Sequence, residues 1–231
     1  MAAASAKLSP LAVRQVVSAV NREALVMPTR SIERSQVGIL LIDAQPAFWE
    51  TMDGPQEPVF VRIERLLMLA VSLQLPMIAT FEHPVDEKGL LPEQLERVFP
   101  TYGQRFVKQT YDCCSDEGIR KAIEQLSVQQ FVVAGAETDV CVLQSVLGLL
   151  RMGHEVFLLE DCIFTSEPHP RPALERMYRA GAVPCTLKTL IYELTQSVDY
   201  WSARIGEEAL SQSFIDSLSS PEQLPAWNFK R

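Results

Sequence analysis

The eight residues Gly135 to Val142, reading GAETDVCV, place a cysteine where a thiol can become a nucleophile. An apolar run, VQQFVVAG, stops at this segment and a helix-like run, VCVLQSVLGLLRMG, starts from it, so Cys141 falls at a strand-to-helix turn. The first N–H groups of a helix lack internal partners, and the aligned peptide dipoles leave partial positive charge there, which favours a thiolate. The same N–H groups can receive an oxyanion, so one turn could supply both nucleophile and charge stabilisation. The competing use of such a residue is packing, because free cysteine often acts as a small buried hydrophobe.

The elements that must position this turn alternate. VGILLIDAQ reads as a buried strand, VFVRIERLLMLAVSLQ as a helix and LPMIATFEH as a second strand, followed by a loop through Pro100. The pattern continues with GIRKAIEQLS as helix, VQQFVVAG as strand, VCVLQSVLGLLRMG as helix, EVFLLEDCI as strand, RPALERMYRAG as helix and AVPCTLKTL as a final strand. Such alternation predicts an α/β fold with a parallel sheet covered by helices on both faces. Ligands in open parallel sheets bind beyond the carboxyl ends of the strands, which directs attention to Asp43, Glu82, His83, Glu137, Cys141 and Asp161.

Composition limits the chemistry. The 231 residues, 47% hydrophobic and 22% charged, suit one domain with a substantial core. A formal net charge of −8 without a lysine- or arginine-rich run argues against a nucleic-acid partner. Five cysteines (113, 114, 141, 162 and 185) without CxxC spacing fit a reducing compartment, and the cytoplasm is expected. No apolar run reaches membrane-spanning length. No GxGxxG or GxxxxGK[ST] loop follows the first strand, Gln45 stands where a phosphotransferase would carry a second aspartate, and Cys141 lacks a GxSxG-like elbow. Residues 1–30 read as an N-terminal helical extension, with Ser9 as cap and Pro10 in the first turn; their acid-poor start also suits a transit peptide. Residues 31–198 form the predicted catalytic domain, and 199–231 a helical tail carrying Trp201, Leu210, Phe214, Ile215 and Leu218 at helical spacing.

Three segments, LLIDAQPAFW with Asp43, RFVKQTYDCCSD with Lys108 and GAETDVCV with Cys141, in this order and with this alternation, resemble the isochorismatase-like superfamily of cysteine hydrolases. That superfamily includes nicotinamidases and N-carbamoylsarcosine amidohydrolases, and the resemblance covers roughly Val37 to Leu194. It implies a three-layer α-β-α, Rossmann-like fold with a mostly parallel sheet. It also implies a triad of Cys141, Asp43 and Lys108, a cis peptide between Ala136 and Glu137, and the N–H groups of Glu137 and Cys141 as oxyanion donors. Asp43 would take the thiol proton and return it to a leaving amine, and Lys108 would hold the carboxylate and favour the thiolate. The product of attack is a thioester that water hydrolyses.

The chain departs from the metal-binding nicotinamidases, which carry an Asp-x-His motif and a further histidine. TFEHPVDEKGLL offers Glu82, His83 and Asp86 but no second nearby histidine, so neither metal nor other cofactor is expected, and His169 reads as a surface-loop residue. True isochorismatases tend to lack the cysteine, so Cys141 favours hydrolysis of a C–N bond in a small amide or carbamoyl compound. The alternatives are isochorismatase-type ether hydrolysis and a non-catalytic binding protein that keeps the fold. Phe48, Trp49 and His83 are candidate pocket residues, with core packing the other use of the two aromatics; Tyr102, Phe106 and Tyr111 flank Lys108 similarly. Assembly as a homo-oligomer, dimer or tetramer, follows from the resemblance.

Overall fold

The computed structural model describes residues 30–197. The predicted tail over 199–231, and the N-terminal extension apart from Arg30, lie outside the described residues. Six strands form one sheet: β1 (Val37–Ile42), β2 (Met77–Glu82), β3 (Gln104–Lys108), β4 (Gln130–Ala136), β5 (Glu155–Phe164) and β6 (Val183–Cys185). Their order is β3-β2-β1-β4-β5-β6, and every pairing is parallel. The helices are α1 (Pro46–Thr51), α2 (Gln56–Leu73), α3 (Val85–Lys88), α4 (Glu93–Val98), α5 (Glu117–Gln125), α6 (Leu143–Arg151), α7 (Arg171–Ala180) and α8 (Leu187–Thr195).

The period-two alternation of the strands divides their side chains between two cores. Val37, Ile39 and Leu41 of β1, with Met77, Ala79 and Phe81 of β2, pack on the face covered by α2 and α8 through Ile63, Leu66, Leu190 and Ile191. Leu40, Ile42, Ile78, Phe131 and Val133 pack on the opposite face against Ile119, Val146, Leu174 and Met177 of α5, α6 and α7. Both faces of the central strands are therefore dry, which is why β1 and β4 read as unbroken apolar runs. Each fully buried leucine or isoleucine contributes about 1.5–3 kcal/mol relative to exposure.

Three local readings change. The region before Lys108 holds an edge strand, β3, whose residues alternate between partial burial and exposure until Lys108. Its polar sequence hides the strand, which is held by its ladder to β2, with Glu82 opposite Lys108. The loop after β2 contains the short helices α3 and α4. The final strand ends at Cys185, because Thr186 caps α8 by accepting from the Thr189 N–H at 3.2 Å. Among the described residues, no helix is long and apolar enough to cross a membrane.

Candidate active site

The sheet order reverses between β1 and β4, and the carboxyl ends of these strands carry Asp43 and the Cys141 turn. Gly135 makes their close approach possible. Its φ is +113°, and a Cβ there would lie 1.9 Å from the Ile42 carbonyl oxygen. The peptide between Ala136 and Glu137 is cis. Cys141 then sits within a π-helical turn, Thr138–Val142, rather than in the first turn of the α-helix, which starts at Leu143. Thr138 ties this turn to β5 by donating to the Phe164 carbonyl at 3.2 Å.

Asp43, Lys108 and Cys141 come together although 98 residues separate the outer two in sequence, from 43 to 141. Asp43 and Lys108 are fully buried, and Cys141 is 2% exposed. Asp43 adopts a φ of 45°, a left-handed value that costs about 1–3 kcal/mol for a non-glycine residue. Thr80 donates to its Oδ1 at 2.8 Å. Its Oδ2 meets the Lys108 ammonium at 2.6 Å as an ion pair without an aligned hydrogen bond. Lys108 Nζ also lies 3.4 Å from Cys141 Sγ.

Glu82, at the end of β2, is the member of the cluster whose role the sequence did not reveal. Its Oε2 accepts from Cys141 Sγ at 3.1 Å and lies 3.9 Å from Lys108 Nζ, while Oε1 pairs with Lys88 Nζ at 2.5 Å. The signal available was its position at a strand end, one residue before the His-Pro of TFEHP.

The electrostatics follow from burial and these contacts. Burial raises the Asp43 carboxyl above its usual value, against the pull of Lys108 and Thr80. Burial alone would lower the Lys108 ammonium, but Asp43, Cys141 and Glu82 outweigh it and hold the ammonium above the ordinary lysine value. Burial, the Asp43 charge and the Glu82 hydrogen bond push the Cys141 thiol well up, with Lys108 opposing. Burial also acts to raise Glu82, yet its bonds to Lys88 and Cys141 and the Lys108 charge leave it lowered. Burial and the two neighbouring carboxylates thus act against the thiolate that the helix end was expected to favour, while Lys108 acts for it.

Ligand atoms of Asp43, Glu82 and Cys141 lie within 4.8 Å of one another, a spacing open to a cation, and the Lys108 ammonium already stands against all three. Asp112, Cys113 and Cys114 form a second such group, but Asp112 is engaged by the Cys114 N–H, Ser115 and Arg151 at 2.9, 3.1 and 2.6 Å.

The remaining candidates separate. Trp49 is a core residue: it is 5% exposed, stacks on Phe164 with centroids 3.9 Å apart, and donates from its indole to the Ala44 carbonyl at 3.2 Å. Phe48 is half-buried beneath the Lys88 ammonium, 5.8 Å from the ring centroid. His83 is exposed, and its backbone N–H donates to the Lys108 carbonyl at 3.0 Å. The Glu137 side chain accepts from the Ser166 N–H and hydroxyl at 3.0 and 2.6 Å. Tyr102 faces α2, donating to the Ala70 carbonyl at 2.7 Å. His169 is exposed. Asp161 is paired with Arg62 at 2.9 Å and accepts from the Leu187 N–H, also at 2.9 Å.

Comparison with known proteins places this architecture. Residues 37–189 match the isochorismatase domain family. "Isochorismatase family protein 1B" of Dictyostelium discoideum is 29% identical over 159 residues, 68% of this chain and 77% of that protein. Among solved structures, the MAR1 ribonuclease of Caenorhabditis elegans superposes with a TM-score of 0.75 at 23% identity, covering 87% of this chain and all of that one. YcaC of Escherichia coli, described as an octameric hydrolase of unknown specificity, gives 0.73 at 22%, covering 84% and 98%. The match over most of the chain, on a parallel sheet of this order, shows that the protein belongs to the isochorismatase family of hydrolases.

Proposed function

We propose that the protein hydrolyses a C–N bond of a small amide or carbamoyl compound, with Cys141 as nucleophile, Asp43 as proton carrier and Lys108 as fixed cation. The observation that carries this reading is the buried Lys108 ammonium, 2.6 Å from Asp43 Oδ2 and 3.4 Å from Cys141 Sγ. Because the thiol rests protonated, its proton passes to Asp43 as sulfur attacks the carbonyl carbon. The C–S bond forms and the carbonyl electron pair moves to oxygen, facing the N–H groups of Glu137 and Cys141. Collapse breaks the C–N bond, and the nitrogen leaves with the proton held on Asp43. Water then attacks the thioester and gives Asp43 a proton. As the C–S bond breaks, sulfur recovers that proton, and the acid and amine products balance the amide and water consumed. Every step uses this chain's side chains, its backbone and water.

A raised Asp43 suits this task, since a carboxyl that binds its proton more tightly takes one from a thiol at a smaller energetic cost. The test is ammonia release from a panel of small amides and carbamoyl compounds. Activity that disappears in Cys141→Ala supports the reading, and normal turnover in that variant overturns it. The same reading includes a homo-oligomer, supported by the octamer described for YcaC. Light scattering of the purified full chain tests that part, a monomer at micromolar concentration opposing it.

A further inference from the structure

Glu82 touches the reactive sulfur, yet the proton path through Asp43 does not use it. Its placement is held from several sides. Gln45, fully buried, accepts from the Glu82 N–H at 2.6 Å and donates to the Glu82 and Gly89 carbonyls at 3.2 and 2.7 Å. Lys88 Nζ pairs with Oε1 at 2.5 Å and donates to the His83 carbonyl at 3.0 Å. These bonds leave Oε2 aimed at Cys141 Sγ, 3.1 Å away. Lys88 alone would serve Oε1, so the ion pair does not account for the sulfur contact of Oε2.

We propose that Glu82 holds the Cys141 thiol in its protonated, unreactive state, and that Lys88, by drawing on Glu82, sets how tightly that proton is held. The proposal rests on Cys141 being the nucleophile. The charged groups facing the thiol are Glu82 from β2, Asp43 from β1 and Lys108 from β3, with Lys88 from α3 facing Glu82. A hydrogen bond to the neutral form of an acid, together with a nearby negative charge, disfavours ionisation. Glu82 does both to the thiol, and the Lys108 ammonium opposes it. Productive attack then requires the S–H to leave Glu82 Oε2 and turn to Asp43, an exchange of one acceptor for another in which Glu82 neither gains nor loses a proton. In the resting protein this arrangement protects the sulfur from adventitious alkylation, since the thiolate is the reactive form.

The experiment measures iodoacetamide alkylation of Cys141 in the full chain as a function of pH, with Cys141→Ala as background for the other cysteines. Glu82→Gln removes the charge while keeping the side chain's size, and alkylation near neutral pH is expected to rise about tenfold. Lys88→Met leaves Glu82 ionised at neutral pH as an ordinary carboxylate, strengthens its negative field, and is expected to slow alkylation about threefold. Opposite directions in the two variants support the proposal. Unchanged pH profiles, or shifts of both variants in one direction as a general loosening would give, overturn it. Alkylation is read without turnover, so these results stand apart from ammonia release in Cys141→Ala, which decides whether Cys141 is the nucleophile at all.

Discussion

The fold twice buries a carboxylate, a basic side chain and a cysteine together. Asp43, Lys108 and Cys141 meet at the ends of β1, β3 and β4, while Asp161, Arg62 and Cys162 meet where α2 crosses β5. Both carboxylates are raised by burial, both face a cation, and both cysteines are nearly or wholly inaccessible. Their bonding separates them. Asp161 commits Oδ2 to Arg62 and Oδ1 to the Leu187 N–H, so it fixes the start of α8 to β5, and Oδ1 also accepts a long bond from the Cys162 thiol at 3.7 Å. Asp43 has one oxygen on Thr80, and the other on a lysine that also reaches the sulfur. A carboxylate tied to backbone and guanidinium suits a structural role, whereas one that shares its ammonium with the sulfur suits the proton transfer proposed for Asp43. Arginine cannot give up its proton in proteins and its fork suits a permanent tie, while a lysine acts as a compact point charge.

Cysteine substitutions break this comparison most sharply. Cys141→Ala is expected to lower kcat by about 10⁴ or more, as removal of a nucleophile does; Cys162→Ala should leave turnover per folded molecule within about threefold while lowering stability, read by ammonia release and urea denaturation on the same samples.

The cations give the next largest effect. Lys108→Met is expected to cost about 10³ in kcat/KM and to destabilise the fold by about 3–5 kcal/mol, because Asp43 is left buried without a counter-charge. Arg62→Met should produce a similar loss of stability without the catalytic one. Equal catalytic losses per folded molecule in the two variants would remove the distinction between the pairs.

pH sharpens it further. On the proposed mechanism Asp43 must be ionised to accept the thiol proton, and burial raises it, so the acidic limb of kcat/KM is expected above the ordinary carboxylate range, and the matching pH dependence of stability should be absent in Asp43→Asn. The sign is set by the raised value: the folded state binds this proton more tightly than the unfolded chain. Asp43's contribution to stability is therefore fully present below its unfolded value and is lost as pH rises through the folded one. Urea midpoints across the acid range, wild type against Asp43→Asn, measure this.

The smallest effect concerns only the structural region. Thr186→Ala is expected to cost about 1 kcal/mol through loss of the α8 cap, with kcat unchanged, measured by denaturation and steady-state assays.

Much of this was legible in the chain. Buried parallel strands are apolar on both faces, so β1, β2, β4 and β5 announce themselves, and the polar residues that end them, Asp43, Glu82 and the GAETDVCV turn, stand out against those runs. Asp43, Lys108 and Cys141 were named together because their segments carry a family pattern. Strand β3 was illegible, since its stability comes from backbone pairing with β2 rather than from an apolar face. The short helices α3 and α4 lack the length for periodicity to show. Trp49 could be pocket or core by sequence, and only its stacking on Phe164, more than a hundred residues away, decides for the core.

The sequence alone determined the alternation of strands and helices, the place of a cysteine at a strand-to-helix turn and the residue types that could serve it, because periodicity, turn chemistry and motif are local properties. The tertiary structure decided the surroundings of that cysteine. Burial and contacts from three other strand ends put two carboxylates and one ammonium around the sulfur, and their sum opposes the thiolate that a helix terminus favours. A proton's position depends on the sum of fields and desolvation at one point in space, and no stretch of sequence contains that sum.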